Sequence, residues 1–256
     1  MPSLDTGASV PQPAYVPRTN WPAWAILPAG LLIFALAAAL GMAGSIAMAV
    51  VLNLDLAVAP AQLPPTLILG GLYAQQIAMI VFTILFAGFF ATNRAEMLAL
   101  RAPRGGWGVL VLSLIPMFAI TGLWTALLMW LLPDVVIGDL RPFSELLQGE
   151  LAIFALIAIG IGAPLSEELL FRGFLFSGLA KTRLAFVGTA LLTTLLWTGL
   201  HAGYSIFGLI EVFAIGLYLS WLLVRTGSLW APIFCHAVYN TVIGLVLYFV
   251  TLPPPA

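Results

Sequence analysis

The sequence predicts an all-α, polytopic membrane bundle of about seven spans, and three observations carry that expectation. Hydrophobic residues fill 62% of the 256 positions and charged residues only 7%, against roughly 25% charged in a soluble domain. Mean hydropathy is +1.11. The apolar residues come in long runs without the alternation of a membrane strand, and a helix satisfies its backbone polar groups internally.

The elements follow in order. Residues 1–22 hold Pro2, Pro11, Pro13, Pro17 and Pro22 among small polar residues, and read as a disordered Pro-rich tail. With no basic start and a long apolar segment after it, this tail is not a signal peptide. Residues 23–150 are then read as the N-terminal transmembrane helices. The first span runs from Trp24 to about Leu52, the second from Leu67 to Phe90 and the third from Gly106 to Leu132. A loop with Pro60, Pro64 and Pro65 separates the first two. The most polar connection is 133–149, with Asp134, Asp139, Arg141 and Glu145.

Residues 151–250 are read as the core. Its first helix runs from about 150 to 180 and is kinked at Pro164, which has no N–H to donate. Spans from Ala185 to His201, Ile206 to Val224 and Leu229 to Phe249 complete the seven. Neither a soluble domain nor a clear internal repeat is present. The lone Cys235 excludes an intrachain disulfide and a CxxC site, and a net charge of −1 points to no nucleic-acid partner.

Orientation follows from the basic residues. An inside N-terminus puts Arg18, Arg94, Arg101, Arg104, Lys181, Arg183 and Arg225 on the inner side, leaving Arg141 outside and Arg172 within a helix. That bias predicts a multi-pass protein with its N-terminus inside, and the expected location is the plasma membrane of a prokaryote.

One stretch then stands out: Ser166-Glu167-Glu168-Leu169-Leu170-Phe171-Arg172. Each ionisable group in a membrane costs roughly 2.5–3.5 kcal/mol on insertion scales, so three within six residues call for a reason. On a helix, Glu168 and Arg172 share a face at i and i+4, while Glu167 points about 100° away. The spacing separates a neutralised acid from a free one. The plain alternative is a structural ion pair pinning a bend.

The chain has two histidines. His201 follows Trp197 by one turn, and His236 precedes Asn240 by one turn. Singly, each has a structural reading: an interfacial histidine, an interhelical hydrogen bond, a tryptophan used in packing, and a Gly199/Gly203 pair for close helix contact. Jointly they form a hydrolytic set. Glutamate and histidine can share a water as general base, and a histidine with an amide can donate to an oxyanion. Glu167, His201 and His236 could also hold zinc with an open position for water, although no HExxH is present. At ~1.5 Å per helical residue, Glu167 lies about 21 Å and His201 about 24 Å above the inner rim, but His236 only about 10 Å. The depth difference leans towards the metal-free arrangement.

The motifs Glu167-Glu168-x-x-x-Arg172, Trp197-x-x-x-His201 and His236-x-x-x-Asn240 resemble the CPBP family, the type II CAAX prenyl proteases and their bacteriocin-processing Abi relatives. Phe171-Arg172-Gly173 and the stretch 226–232 fit the same text. The resemblance covers roughly 155–245. Trp197 stands where the family usually carries phenylalanine, a change expected to alter packing and not chemistry. The resemblance implies an intramembrane endopeptidase in which Glu167 and His201 activate water, and His236 and Asn240 stabilise the oxyanion. Glu168 and Arg172 would then support the site. The family is labelled metalloprotease, yet a metal-free glutamate mechanism is also argued for it, so zinc stays open. The implied substrate is a membrane-associated peptide or C-terminal tail, lipidated or not. The competing class is a non-enzymatic membrane protein, either a transporter or a peptide-binding immunity scaffold, whose buried charges form an ion network.

Overall fold

The computed structural model describes residues 14–54, 63–90 and 93–253, and every regular element among them is helical. The helices are α1 (Ala23–Leu52), α2 (Pro65–Ala87), the single turn α3 (Arg94–Met97), α4 (Gly108–Leu131) and α5 (Pro133–Leu147). They continue with α6 (Ala152–Leu179), α7 (Ala185–Gly199), α8 (Ile206–Thr226) and α9 (Trp230–Phe249).

Six of these are long and apolar enough to cross a membrane, and α7 is a shorter apolar helix. The expected count of about seven is thus six plus one, because the fifth helix stops at Gly199 and leaves His201 in the turn beyond. Large apolar side chains such as Leu31, Val111, Leu123 and Trp130 face outward. Lipid imposes no penalty on that exposure, so packing between helices depends on close backbone approach. The pair α1–α2 shows this. A Cβ on Gly41 would stand 2.9 Å from Gln75 Cβ and 3.0 Å from the Gly71 carbonyl, and Ser45 Oγ donates to the Leu67 carbonyl at 2.9 Å.

Two segments differ from expectation. The polar connection 133–149 is mostly the amphipathic helix α5, started by Pro133 at its first position. The tail predicted through residue 22 is not free over its last part: Tyr15 and Trp21 are buried at 1% and 5% exposure. Aromatic bulk explains this, since Trp21 packs edge-on against Phe174 and its indole donates to the Phe86 carbonyl at 3.1 Å. Residues 1–13 and most of the 53–66 loop lie outside the described residues.

The end of the bundle that holds Arg101 and Gly227 is closed by a floor. Arg101 Nε donates to the Gly227 carbonyl at 2.6 Å, and Leu229 N–H donates to the Ala99 carbonyl at 2.8 Å. Gly227 ends α8 with a left-handed φ of 66°. Ser228, Leu229 and Ala231 have no exposure. Helix α9 therefore starts above this floor, well inside the protein.

Candidate active site

Helix α6 carries the acidic motif, and its backbone is irregular on both sides of it. Two π-helical segments, Ala158–Gly162 and Leu169–Leu175, flank the α-helical turns of Ala163–Glu168. Pro164 accounts for the first: it cannot donate to the Gly160 carbonyl and its ring crowds that group. Ala163 N–H reaches back to Ala158 instead, five residues away. The expected single kinked helix is thus continuous, with the distortion taken up as π turns, which recur at functional sites. Two amides from neighbouring helices reach carbonyls in the first π turn. Gln76 Nε2 donates to Ala158 at 3.0 Å, and Asn240 Nδ2 donates to Ile159 at 3.1 Å. Side chains at Gly160 and Gly162 would collide with Thr241 and Gln76, so these glycines permit the approach.

The two glutamates are separated as the spacing predicts. Glu168 and Arg172 are fully buried and paired at 2.9 Å. Arg172 also donates to the Gly216 carbonyl at 3.2 Å. Gly216 is small by necessity, because a Cβ there would lie 3.0 Å from both Arg172 Nη2 and the Trp197 ring. Glu167 points elsewhere and accepts the Trp197 indole N–H at 2.6 Å. Trp197 therefore touches the acidic motif directly, against the expectation that it alters packing alone. Its ring packs edge-on against His201 and His236, with centroids 4.9 and 5.5 Å apart, and Arg172 Cζ lies 4.5 Å from its centre.

Both histidines have one ring nitrogen committed. His201 Nδ1 lies 3.0 Å from the Trp197 carbonyl, which can only accept. Nδ1 then carries the proton and Nε2 holds the lone pair. His236 Nδ1 lies 3.0 Å from Oε1 of Glu168, beside Arg172. Against the depth gap expected for it, His236 lines the same cavity as Glu167 and His201, because the start of α9 is itself buried at Leu229 and Ala231. The Gly199/Gly203 pair makes no close packing, as nothing stands within 4 Å of a Cβ at either position.

Glu167, His201, His236 and Asn240 all line one cavity of about 360 Å³. Its walls also include Gln76 from α2, Asp139 and Phe143 from α5, Tyr204 and Glu211. Asp139 latches α5 to the start of α8: its carboxylate accepts the Ser205 N–H at 2.7 Å and the Ser205 hydroxyl at 2.6 Å. Tyr239 donates to Glu211 at 3.3 Å. Burial, then the Asp139, Glu167 and Glu211 carboxylates, push the Tyr204 hydroxyl above the ordinary phenol range, so it stays protonated.

Sequence reasoning passed over Gln76, Glu211 and the role of Asp139. Glu211 carried a signal, being a lone carboxylate in an apolar span. Gln76 and Asp139 carried none beyond polarity. As for zinc, no group of three His, Cys, Asp or Glu side chains among the described residues is arranged to hold a metal ion. Glu167, His201 and His236 share a cavity without forming a ligand set.

Residues 149–242 match the family described as type II CAAX prenyl endopeptidase, Rce1-like. An uncharacterized 24.3 kDa protein of Escherichia coli is 36% identical over 97 residues, covering 37% of this chain and 44% of that protein. The chain thus matches less than half the length of that curated relative. No solved structure matches.

Proposed function

We propose that this chain, whose residues 149–242 match the Rce1-like type II CAAX prenyl endopeptidases, hydrolyses a peptide bond of a membrane-associated substrate at the cavity under α5. The observation that carries the reading is the convergence of Glu167, His201, His236 and Asn240 from separate elements on one cavity. A water placed between Glu167 and His201 Nε2 is the nucleophile, and Glu167 takes its proton as the water oxygen attacks the carbonyl carbon. His236 Nε2–H and the second N–H of the Asn240 amide donate to the oxyanion. Because His236 Nδ1 already faces Glu168, donating from Nε2 requires the doubly protonated ring, with Glu168 as its counter-charge. Collapse of the tetrahedral intermediate breaks the C–N bond, and the proton held by Glu167 passes to the leaving amine.

The positive-inside bias puts the inner floor on the cytoplasmic face of a prokaryotic plasma membrane and α5 on the outer side. The substrate is a peptide or C-terminal tail, and the lipid is its other partner. The test uses purified protein in detergent with fluorogenic CAAX-type peptides, farnesylated and unmodified, beside Glu167→Gln. Cleavage by wild type and none by the variant supports the reading. A folded variant that cleaves as fast as wild type overturns it, and cleavage by neither favours a binding protein.

A further inference from the structure

We propose that Trp197 is a positioning residue that fixes the carboxylate of Glu167 for proton transfer, an inference that rests on the endopeptidase reading above. An ionised carboxylate holding a short N–H···O bond of 2.6 Å loses its freedom to rotate. With Oε2 committed to the indole, Oε1 is left to take the water proton. The indole itself cannot swing aside. It is 2% exposed, with two histidine rings edge-on against it and the Arg172 guanidinium over its face. The same residue bonds His201 Nδ1 through its main-chain carbonyl. One residue thus orients both groups that share the water, one through its side chain and one through its backbone. A phenylalanine would leave part of the indole's buried space empty and has no N–H to offer the carboxylate.

The role predicts a pattern that packing alone would not produce. Holding a base in geometry acts on the chemical step and not on substrate binding. Replacing Trp197 with β-(3-benzothienyl)alanine keeps the bicyclic shape and exchanges the N–H for sulfur. On the peptide that wild type cleaves, kcat should fall roughly 10- to 100-fold, the scale of a lost hydrogen bond to a charged group. KM and Tm should stay at wild-type values. Trp197→Phe should lose kcat similarly but also lower Tm.

A second measurement needs no substrate. Subtracting the ultraviolet resonance Raman spectrum of Trp197→Phe from that of wild type isolates this one indole. Its N–H-sensitive band should sit at the strongly bonded position and move to the weakly bonded one in Glu167→Leu. Unchanged kcat with the benzothienyl residue, or a band indifferent to Glu167→Leu, overturns the assignment. The endopeptidase reading fails on a different result, namely full cleavage by Glu167→Gln.

Discussion

Arg172 Nη1 lies 2.9 Å from Oε1 of Glu168 with both side chains fully buried, and His236 Nδ1 shares that oxygen at 3.0 Å. One carboxylate oxygen therefore serves two cationic or donor groups from two helices. Removing its charge leaves a buried guanidinium uncompensated, which costs about 3–5 kcal/mol for a well-buried pair. Glu168→Gln should lower Tm sharply in detergent and reduce activity only as far as folded protein is lost and His236 is released. A Tm equal to wild type would show the pair to be dispensable.

Glu167 should behave in the opposite way. It is half-buried at the cavity wall and its one neutral partner is the Trp197 N–H, which an amide oxygen also satisfies. Glu167→Gln should keep Tm close to wild type and abolish cleavage, because a neutral amide cannot take a proton from water. Paired melting and activity curves for the two glutamine variants separate support from chemistry. Equal losses of stability would refute the division of roles.

The split between these neighbours was legible beforehand because helical spacing is local: Glu168 and Arg172 meet at i and i+4, while Glu167 at i−1 points about 100° away. The spans were legible for the same reason, since apolar length is a property of one segment. What lay beyond reach were features set by tertiary contact. The reach of His236 into the cavity depended on the start of α9 being buried, where Leu229 bonds Ala99. The order of residues 14–22 depended on Tyr15 and Trp21 finding buried sites. The chemistry of Trp197 depended on α7 meeting α6 at Glu167. No pattern within one segment states any of these.

Asn240 and Gln76 are a matched pair that the same assay can divide. Each donates to one carbonyl of the π turn in α6, at 3.1 and 3.0 Å. Losing the Asn240 donor takes a partner from the Ile159 carbonyl at about 1–3 kcal/mol, whereas the Ala158 carbonyl still accepts the Ala163 N–H. Asn240→Ala should in addition lower kcat by roughly 10²–10³, the cost of one oxyanion donor. Gln76→Ala should lose less stability, since Ala163 N–H still serves the Ala158 carbonyl, and change kcat much less. Equal kcat values for the two variants would remove Asn240 from the oxyanion role.

Asp139 holds α5 over the cavity by accepting from both the backbone and hydroxyl of Ser205. Ser205 is the N-cap of α8, its Oγ accepting from Gly208 N–H at 3.1 Å. Asp139→Ala should cost about 1–2 kcal/mol, as for a lost helix cap. Amide hydrogen exchange over residues 133–150 and 205–210 should speed up, with the inner floor at 97–104 unchanged. Asp139→Asn keeps one acceptor for the Ser205 N–H and should fall between the two. Uniform acceleration across the molecule would mean that the latch supports the whole fold and not α5 alone.

Metal dependence is decided by chelation. A zinc site needs its protein ligands at about 2.0–2.2 Å from one point, and no group of three candidate ligands among the described residues meets that arrangement. Glu167 is held by the Trp197 indole, His201 by the Trp197 carbonyl and His236 by Glu168. These bonds commit Glu167 Oε2 and the two Nδ1 atoms and leave Glu167 Oε1 and both Nε2 atoms open. Purified protein should retain its cleavage rate through exhaustive chelation, with substoichiometric zinc by elemental analysis. The Trp197 Raman band should be the same before and after chelation, because its partner is a carboxylate and not a metal-bound one. Stoichiometric zinc whose removal and return switch cleavage off and on would overturn the water mechanism drawn from Glu167 and His201 alone.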